Sequence, residues 1–354
     1  MLFLSGDEKA HWRTLGGRVR ASTTSPHDLE REFRPSLWPM FCFYAGTLLA
    51  ADGEERGAMA WLVAGARAEG GSSLLTNTFA LGFLHRQNGR FVAPEAAFTD
   101  PRPWVHFAGV PAMRSSRQRF IEQCGASLPR FQRPLRVLDI GCGDGGLLAS
   151  LIRHLRLIGT ISDVGEALLV DSSPAMVALA RETLGTAVAP ASVRVLNDRI
   201  EAVSAAIDGH FDVALMSASY HHMPWEHKAL HLERLRPRVD HVLLFEVSAN
   251  HDLPDLGSPE LAASVYQTYG RLIDAVFAHD APVELANACV DRFLMPEEVS
   301  LLTQPRGERT DYHMLRTQWH ELFRRALGDE YSCWCDATAY ADDFVELFTL
   351  HYGR

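Results

Sequence analysis

The sequence predicts an α/β fold: a seven-stranded sheet, parallel except for a C-terminal antiparallel hairpin, preceded by a mainly helical region. Three observations predict it. From residue 135 onward, short apolar runs alternate with segments whose apolar residues recur at helical spacing. The last two apolar runs are separated by only a few residues, too few for a crossover helix, so they should pair antiparallel. Finally, residues 1–134 carry 16 Lys and Arg against 12 Asp and Glu, net +4, whereas residues 135–354 carry 18 against 32, net −14. The chain changes character where the alternation begins.

In chain order, residues 1–30 read as an N-terminal tail or lid, and SPHDLEREFRP at 25–35, before the first helix, could fold over a ligand. Residues 31–100 form a helical region, with helices expected near 34–51, 55–68 and 73–84. GFLHRQNGRFVAPEAAF then offers two apolar runs around Asn88-Gly89, a hairpin signal. Three helices and a hairpin is the order of a winged-helix domain. Residues 101–134, with prolines at both ends, make a linker helix.

The sheet region occupies residues 135–354. PLRVLDIGCGDGGLLASLIRHL reads as strand, glycine turn, helix. EALLVDSS, SVRVLND, FDVALMSAS and HVLLFEVS are strand-like, and PAMVALARETL, IEAVSAAI and EHKALHLERL between them are helical. Such alternation implies βαβ units with right-handed crossovers. A helical insert at about 249–328 follows, and EYSCWCDA and DFVELFTLHYG close the chain as the hairpin.

Composition narrows the class. At 354 residues, 47% apolar and 22% charged, the chain has ample core material, and about 150 residues per domain makes two domains the expectation. The longest apolar stretch, at 37–50, contains a Pro and falls short of the roughly 20 residues of a membrane span. The N-terminus turns polar within its first residues and lacks a cleavable apolar leader, so the expected location is the cytoplasm. Six scattered cysteines do not make a disulfide framework. They read as reduced, structural thiols, with Cys333 and Cys335 on one face of a strand.

The chemistry is carried by VLDIGCGDGG, where Asp139 ends a strand and Gly141, Gly143 and Gly145 follow. Glycines there let the backbone turn tightly and approach a ligand, with a helix N-terminus directed at it. Asp139 would repel a pyrophosphate and suits a ligand bearing a positive group. Asp171, at the end of the next strand, suits both hydroxyls of a ribose. The pair asks for a nucleoside without a diphosphate.

VLDIGCGDGG, LLVDSS, LNDRIEAV and FDVALMSASYHH, arriving in this order, resemble the successive motifs of class I S-adenosylmethionine-dependent methyltransferases, over roughly 135–250. The resemblance implies a Rossmann-like sheet and S-adenosyl-L-methionine as cofactor. It places the cofactor's amino-acid part at Asp139, Gly141, Cys142 and Gly143, and its ribose at Asp171 and Ser172. Asp198 and Arg199 fall at the adenine, and backbone around Ser217 and Ala218 under the sulfonium. The N-terminal region resembles, less specifically, the winged-helix dimerisation domain of the dimeric O- and C-methyltransferases of natural-product pathways. That implies a homodimer acting on a small-molecule acceptor in secondary metabolism, and the weak +4 leaves nucleic-acid binding unsupported.

Acceptor chemistry points to SASYHHMPWEH, at the carboxyl edge of the sheet where ligands bind. Imidazole side chains are suited to proton transfer, so His221 and His222 could act as base or metal ligand, and the resemblance sets His221 on the base of the dimeric O-methyltransferases. Tyr220 and Glu246 complete the catalytic candidates. Tyr220, Trp225, Tyr266, Tyr269 and Trp319 could line an aromatic pocket. Arg306, Arg309 and Arg316 could clamp an acceptor carboxylate. No histidine pair has a compact ligand spacing, so no metal is expected. Two other readings keep the fold and change the function: a cyclase that converts S-adenosylmethionine to azetidine-2-carboxylate and methylthioadenosine, and a ligand-sensing winged-helix regulator.

Overall fold

A computed structural model describes residues 3–70, 74–91 and 99–354. Contacts divide the chain into two compact units. One comprises Phe98–Ser248, His313–Ala341 and Glu346–Arg354; the other comprises Met1–Ala97, Ala249–Tyr312 and Asp342–Val345.

The first of these units is built on the expected seven-stranded sheet. Its strands are β1 Leu135–Ile140, β2 Val164–Val170, β3 Val193–Leu196, β4 Phe211–Ser217, β5 Val239–Val247, β6 Ser332–Ala341 and β7 Glu346–Gly353. They lie in the order β3-β2-β1-β4-β5-β7-β6. The first five are mutually parallel, β7 runs antiparallel to β5, and β6 antiparallel to β7. Central parallel strands are covered on both faces, which is why the middles of β1, β4 and β5, at 137–138, 213–216 and 242–245, read as apolar runs and the strands are almost wholly buried. The order reverses beside β1, and that switch point opens a crevice at the carboxyl ends of β1, β2 and β4.

Two boundaries move. Residues 102–127, read as a linker, form the helices Arg102–Gly109 and Pro111–Ser127 and belong to the sheet unit, the second packing on β6 and β7. The insert divides: Arg316–Leu327 joins the sheet core through Trp319, Leu322 and Phe323, while residues 249–312 join the N-terminal helices.

A buried acid links the N-terminal helices of that second unit to its insert. Glu69, fully buried, accepts hydrogen bonds from Asn77 N (2.8 Å), Asn77 Nδ2 (2.8 Å), Thr78 N (3.1 Å), Thr78 Oγ1 (3.0 Å) and Tyr266 Oη (3.1 Å). Burial raises its pKa and these donors offset part of the rise. Thr76 Oγ1 donates to Tyr266 O at 2.9 Å, tying Thr76–Arg86 to Pro259–Phe277 a second time. The N-terminal helices and the insert therefore share one core, which sequence reading treated as two separate pieces.

Three further expectations change. Residues 6–20 are a capped helix, not a loose tail: Ser5 and Glu8 form a capping box, and Trp12, Leu15 and Val19 are buried. The first run of the expected hairpin is helical through Arg86, because Phe79, Phe83 and Leu84 recur at helical spacing. Its second run lies mostly outside the described residues. Trp38–Ala51, apolar on every side, is buried within its own unit from Trp38 to Leu49. Among the described residues, no helix is long and apolar enough to cross a membrane. Cys42, Cys124, Cys142 and Cys289 are buried as expected, whereas Cys333 is exposed on β6. An irregularity between Cys333 and Cys335 breaks the alternation that would have aligned the two thiols.

Candidate active site at the switch point

β1 delivers Asp139 and then turns through glycine. Gly141 N–H donates to Val170 O at 2.8 Å and Cys142 N–H to the same oxygen at 3.1 Å, so the turn starts as an extension of the β1–β2 pairing. Gly141 has φ +69°, and a Cβ there would lie 2.2 Å from Ser219 Cβ. Gly143 has φ +52°, with Trp104 Nε1 3.1 Å from where its Cβ would be. Both positions need glycine for conformation and for space. The turn ends in the helix Gly146–Leu157, whose first N–H donates to Asp144 Oδ1 at 3.0 Å.

Acids crowd this turn. Asp139 is 3% exposed, and its pKa is pushed up to about 8, first by burial and then by Asp171, with Arg117 opposing. Asp171 is half-buried. Its Oδ2 accepts Gly143 N–H and its Oδ1 Ser173 N–H, both at 2.9 Å. Burial raises its pKa, those bonds lower it, and the charge of His222 lowers it further. Asn197 Nδ2 donates to Asp171 O at 2.9 Å, joining β3 to the same corner. Ser172, Asp198 and Arg199 are exposed, and Arg199 N–H donates to Asp198 Oδ1 at 2.7 Å. The Cys142 thiol is buried and its pKa raised, so it is an inert wall.

β4 and β5 supply the other side. After Ser217, Ala218 takes φ +47° and donates its N–H to Phe245 O at 2.9 Å. Ser219 donates its Oγ–H to Ile140 O at 2.6 Å and its N–H to Glu246 Oε1 at 3.2 Å. The other oxygen of Glu246 stands 2.9 Å from His221 Nδ1. Both side chains are buried, Glu246 to 1%. His313 stacks on His221 with ring centroids 4.1 Å apart, and its Nδ1 is 4.0 Å from Glu246 Oε2. Sequence spacing gave no hint of this third histidine, and the ligand atoms of His221, Glu246 and His313 lie within 4.8 Å of one another, close enough to hold a metal ion.

Several candidates fall away. Tyr220 is buried in the apolar core with Ile200, Phe211 and Trp319, and its hydroxyl has no partner among the described residues, so it faces packing and not a ligand. The arginine clamp does not form. Arg306 pairs with Asp252 at 2.7 Å, Arg309 serves the carbonyls of Gln304, His251 and Pro254, and Arg316 pairs with Glu346 at 2.7 Å and with Asp336. Trp319 packs in the sheet core, and Tyr266 and Tyr269 are buried in the helical unit.

Sequence reading missed Trp104, Arg117, Asp144 and Ser219. For Arg117 a signal existed: it falls four residues after Met113 and four before Ile121, on the buried stripe of Pro111–Ser127.

The glycine cradle, a buried carboxylate suited to a cationic group and a second carboxylate with lone pairs left for hydroxyls fit S-adenosylmethionine. Residues 137–240 match a family described as a methyltransferase domain. No curated protein matches the chain. Among solved structures, SCL7 in Oryza sativa is 13% identical with a TM-score of 0.57, covering 86% of this chain and 99% of its own; at that identity it shows the fold alone. Magnesium protoporphyrin IX methyltransferase from Synechocystis PCC 6803 with bound SAH is 14% identical with a TM-score of 0.43, covering 71% of this chain and 92% of its own. The trans-methyltransferase CalH, in complex with SAH, is 13% identical with a TM-score of 0.46, covering 89% of this chain and 83% of its own.

Proposed function

We propose that this chain, an enzyme with an S-adenosylmethionine-dependent methyltransferase domain, methylates a small-molecule acceptor that must lose a proton, and that His221 takes that proton. The observation that carries the reading is the buried contact of His221 Nδ1 with Glu246 Oε2 at 2.9 Å, at the carboxyl ends of β4 and β5. We read that separation as a hydrogen bond. It fixes the imidazole tautomer so that Nε2 is the proton acceptor, and the carboxylate stabilises the imidazolium that forms. Glu246 is therefore a positioning residue, itself held by Ser219 N–H.

When bound, S-adenosylmethionine supplies a methyl carbon already activated by its sulfonium. The chain's task is then placement. Asp139 holds the ammonium of the amino-acid part, Gly141, Cys142 and Gly143 give it backbone contact, and Asp171 with Ser172 takes the ribose. Asp198 and Arg199 border the adenine, and the backbone of Ser217 and Ala218 floors the sulfonium. The family match favours methyl transfer over the cyclase and the regulator. A homodimer in secondary metabolism rests on the likeness of the N-terminal region to the dimeric O- and C-methyltransferases, and light scattering of the purified chain decides the dimer.

The test is product analysis. Purified protein incubated with S-adenosylmethionine should release S-adenosylhomocysteine only when small-molecule acceptors are added. Methylthioadenosine released without an acceptor would overturn the reading. Glu246→Gln should lower kcat by about 100-fold or more at unchanged cofactor affinity, with the largest loss for the least acidic acceptors. Equal loss for all acceptors would mean that no proton is taken.

A further inference from the structure

The helical unit encloses a carboxyl group that nothing in the chain bonds. Glu298 lies on the helix Met295–Thr303, which follows the π-helical turn Val290–Leu294 and is buried from Met295 to Leu302. That helix packs on Trp38–Ala51 and Pro259–Phe277, all within one unit. With no outer face to its helix, the short Glu298 side chain cannot reach water. It is 0% exposed, and neither carboxyl oxygen has a hydrogen-bond partner. Among the described residues it forms no ion pair.

The neighbours of Glu298 are also short of donors. Glu69 acts on it electrostatically, and all five hydrogen bonds to Glu69 come from neutral groups of Asn77, Thr78 and Tyr266. Asn77 donates from Nδ2 to Glu69 Oε1 at 2.8 Å and to Pro39 O at 2.9 Å, which fixes the orientation of its amide. Its Oδ1 is left as another fully buried acceptor without a donor. The tyrosine hydroxyls of Pro259–Phe277 are engaged elsewhere: Tyr266 donates to Glu69, and Tyr269 to Glu297 Oε2 at 3.2 Å. Two buried acids with no cation bonded to either, and an amide oxygen beside them, lack both positive charge and N–H donors. Burial and then the charge of Glu69 raise the pKa of Glu298 well above the carboxyl range, so a proton neutralises it in the ligand-free chain.

What is missing has a definite chemistry. Among the described residues, no group of three side chains placed to hold a metal ion includes Glu298 or Glu69. An ammonium supplies charge and up to three donors together. The rings beside Glu69, Tyr266 with Phe43 at 5.5 Å, suit a cation carried on an apolar body.

We propose that Glu298 anchors a ligand site in the helical unit, where its carboxylate takes the primary ammonium group of a small organic amine. The site lies outside the matched 137–240 segment and needs no S-adenosylmethionine, so it stands or falls apart from the cofactor site.

Thermal unfolding of the full chain at neutral pH, without cofactor, tests it. The probes are methylammonium, butylammonium and benzylammonium chlorides, each compared with sodium chloride at equal ionic strength and with the corresponding alcohol. At least one ammonium should raise the midpoint of the unmodified protein by about 1–3 °C more than both of its controls. Glu298→Gln keeps the shape of the neutral acid and cannot ionise, so it should fold and lose that difference. Glu298→Met makes the same comparison where the Gln variant does not fold. If no ammonium exceeds its controls in the unmodified protein, or if the excess persists in a folded variant, the proposal is overturned and Glu298 is a protonated acid of the core.

Discussion

Asp171 Oδ2 accepts the N–H of Gly143 at 2.9 Å, so the carboxylate that ends β2 also pins the turn that follows β1. Its Oδ1 takes the N–H of Ser173 at 2.9 Å. Each carboxylate oxygen keeps a second lone pair, and it is these that can face a ribose. One side chain thus shapes the cradle and keeps acceptors for the ribose proposed to lie in it.

Asp171→Ala should therefore lose more than one hydrogen bond's worth of binding. Hydrogen bonds to a charged group contribute about 1.5–3 kcal/mol each, so with more than one lost the affinity for the cofactor should fall about 100-fold or more, read by calorimetry. Asp171→Asn, which keeps one carbonyl acceptor, should fall between the two. Unchanged affinity in Asp171→Ala would remove Asp171 from the ribose site.

Asp139 sets a pH dependence whose sign follows from its environment. Burial and the neighbouring Asp171 raise its pKa from 3.8 to about 8, so the ligand-free native chain binds a proton there that the unfolded chain has already released. The associated stability is fully present below the unfolded pKa and is lost as pH rises toward about 8. Asp139→Asn should remove that slope: urea midpoints of the ligand-free variant and the unmodified protein should diverge as pH rises from 5 to 8, the variant becoming the more stable. Binding runs the other way. An ammonium group prefers the ionised carboxylate, so cofactor binding should release a proton below about pH 8, detectable as heats that depend on buffer ionisation. Parallel urea curves at every pH would show that Asp139 is ionised throughout.

Much of the sheet was legible because parallel strands advertise themselves. The middles of β1, β2, β4 and β5 are buried on both faces and carry only apolar residues, at 137–138, 167–170, 213–216 and 242–245, and the glycines after β1 have no use in a helix or strand interior. Asp139 and Asp171 were legible for the same reason, as carboxylates at strand ends. What depended on long-range association was not. The stacking of His313 on His221 spans more than ninety residues of chain, and no local period encodes it. The union of the insert with the N-terminal helices includes the bond of Tyr266 to Glu69, which in sequence is one more acid at a helix end. Arg117 could have been noticed as a charge on an apolar stripe. Its neighbours Asp139 and Asp144 arrive only once the helix is packed beside the turn.

The close approach of Gly141 to Ser219 couples the cofactor turn to the His221–Glu246 pair. Ser219 cannot yield freely: its hydroxyl is bound to Ile140 O at 2.6 Å and its N–H to Glu246 at 3.2 Å. Gly141→Ala would place a Cβ 2.2 Å from Ser219 Cβ, on a backbone at φ +69° that a non-glycine residue adopts at a cost of about 1–2 kcal/mol. The variant should thus be destabilised by more than the backbone strain alone, the remainder being the displacement of Ser219. Ser219→Gly removes the clashing atom, although it also loses the bond to Ile140. In a double-mutant cycle by urea denaturation, Gly141→Ala with Ser219→Gly should be more stable than the sum of the single changes predicts, by about 0.5–3 kcal/mol, the range found for residues in contact. Additive effects would mean that the turn accommodates a side chain without moving Ser219, and that the glycine is required for conformation only.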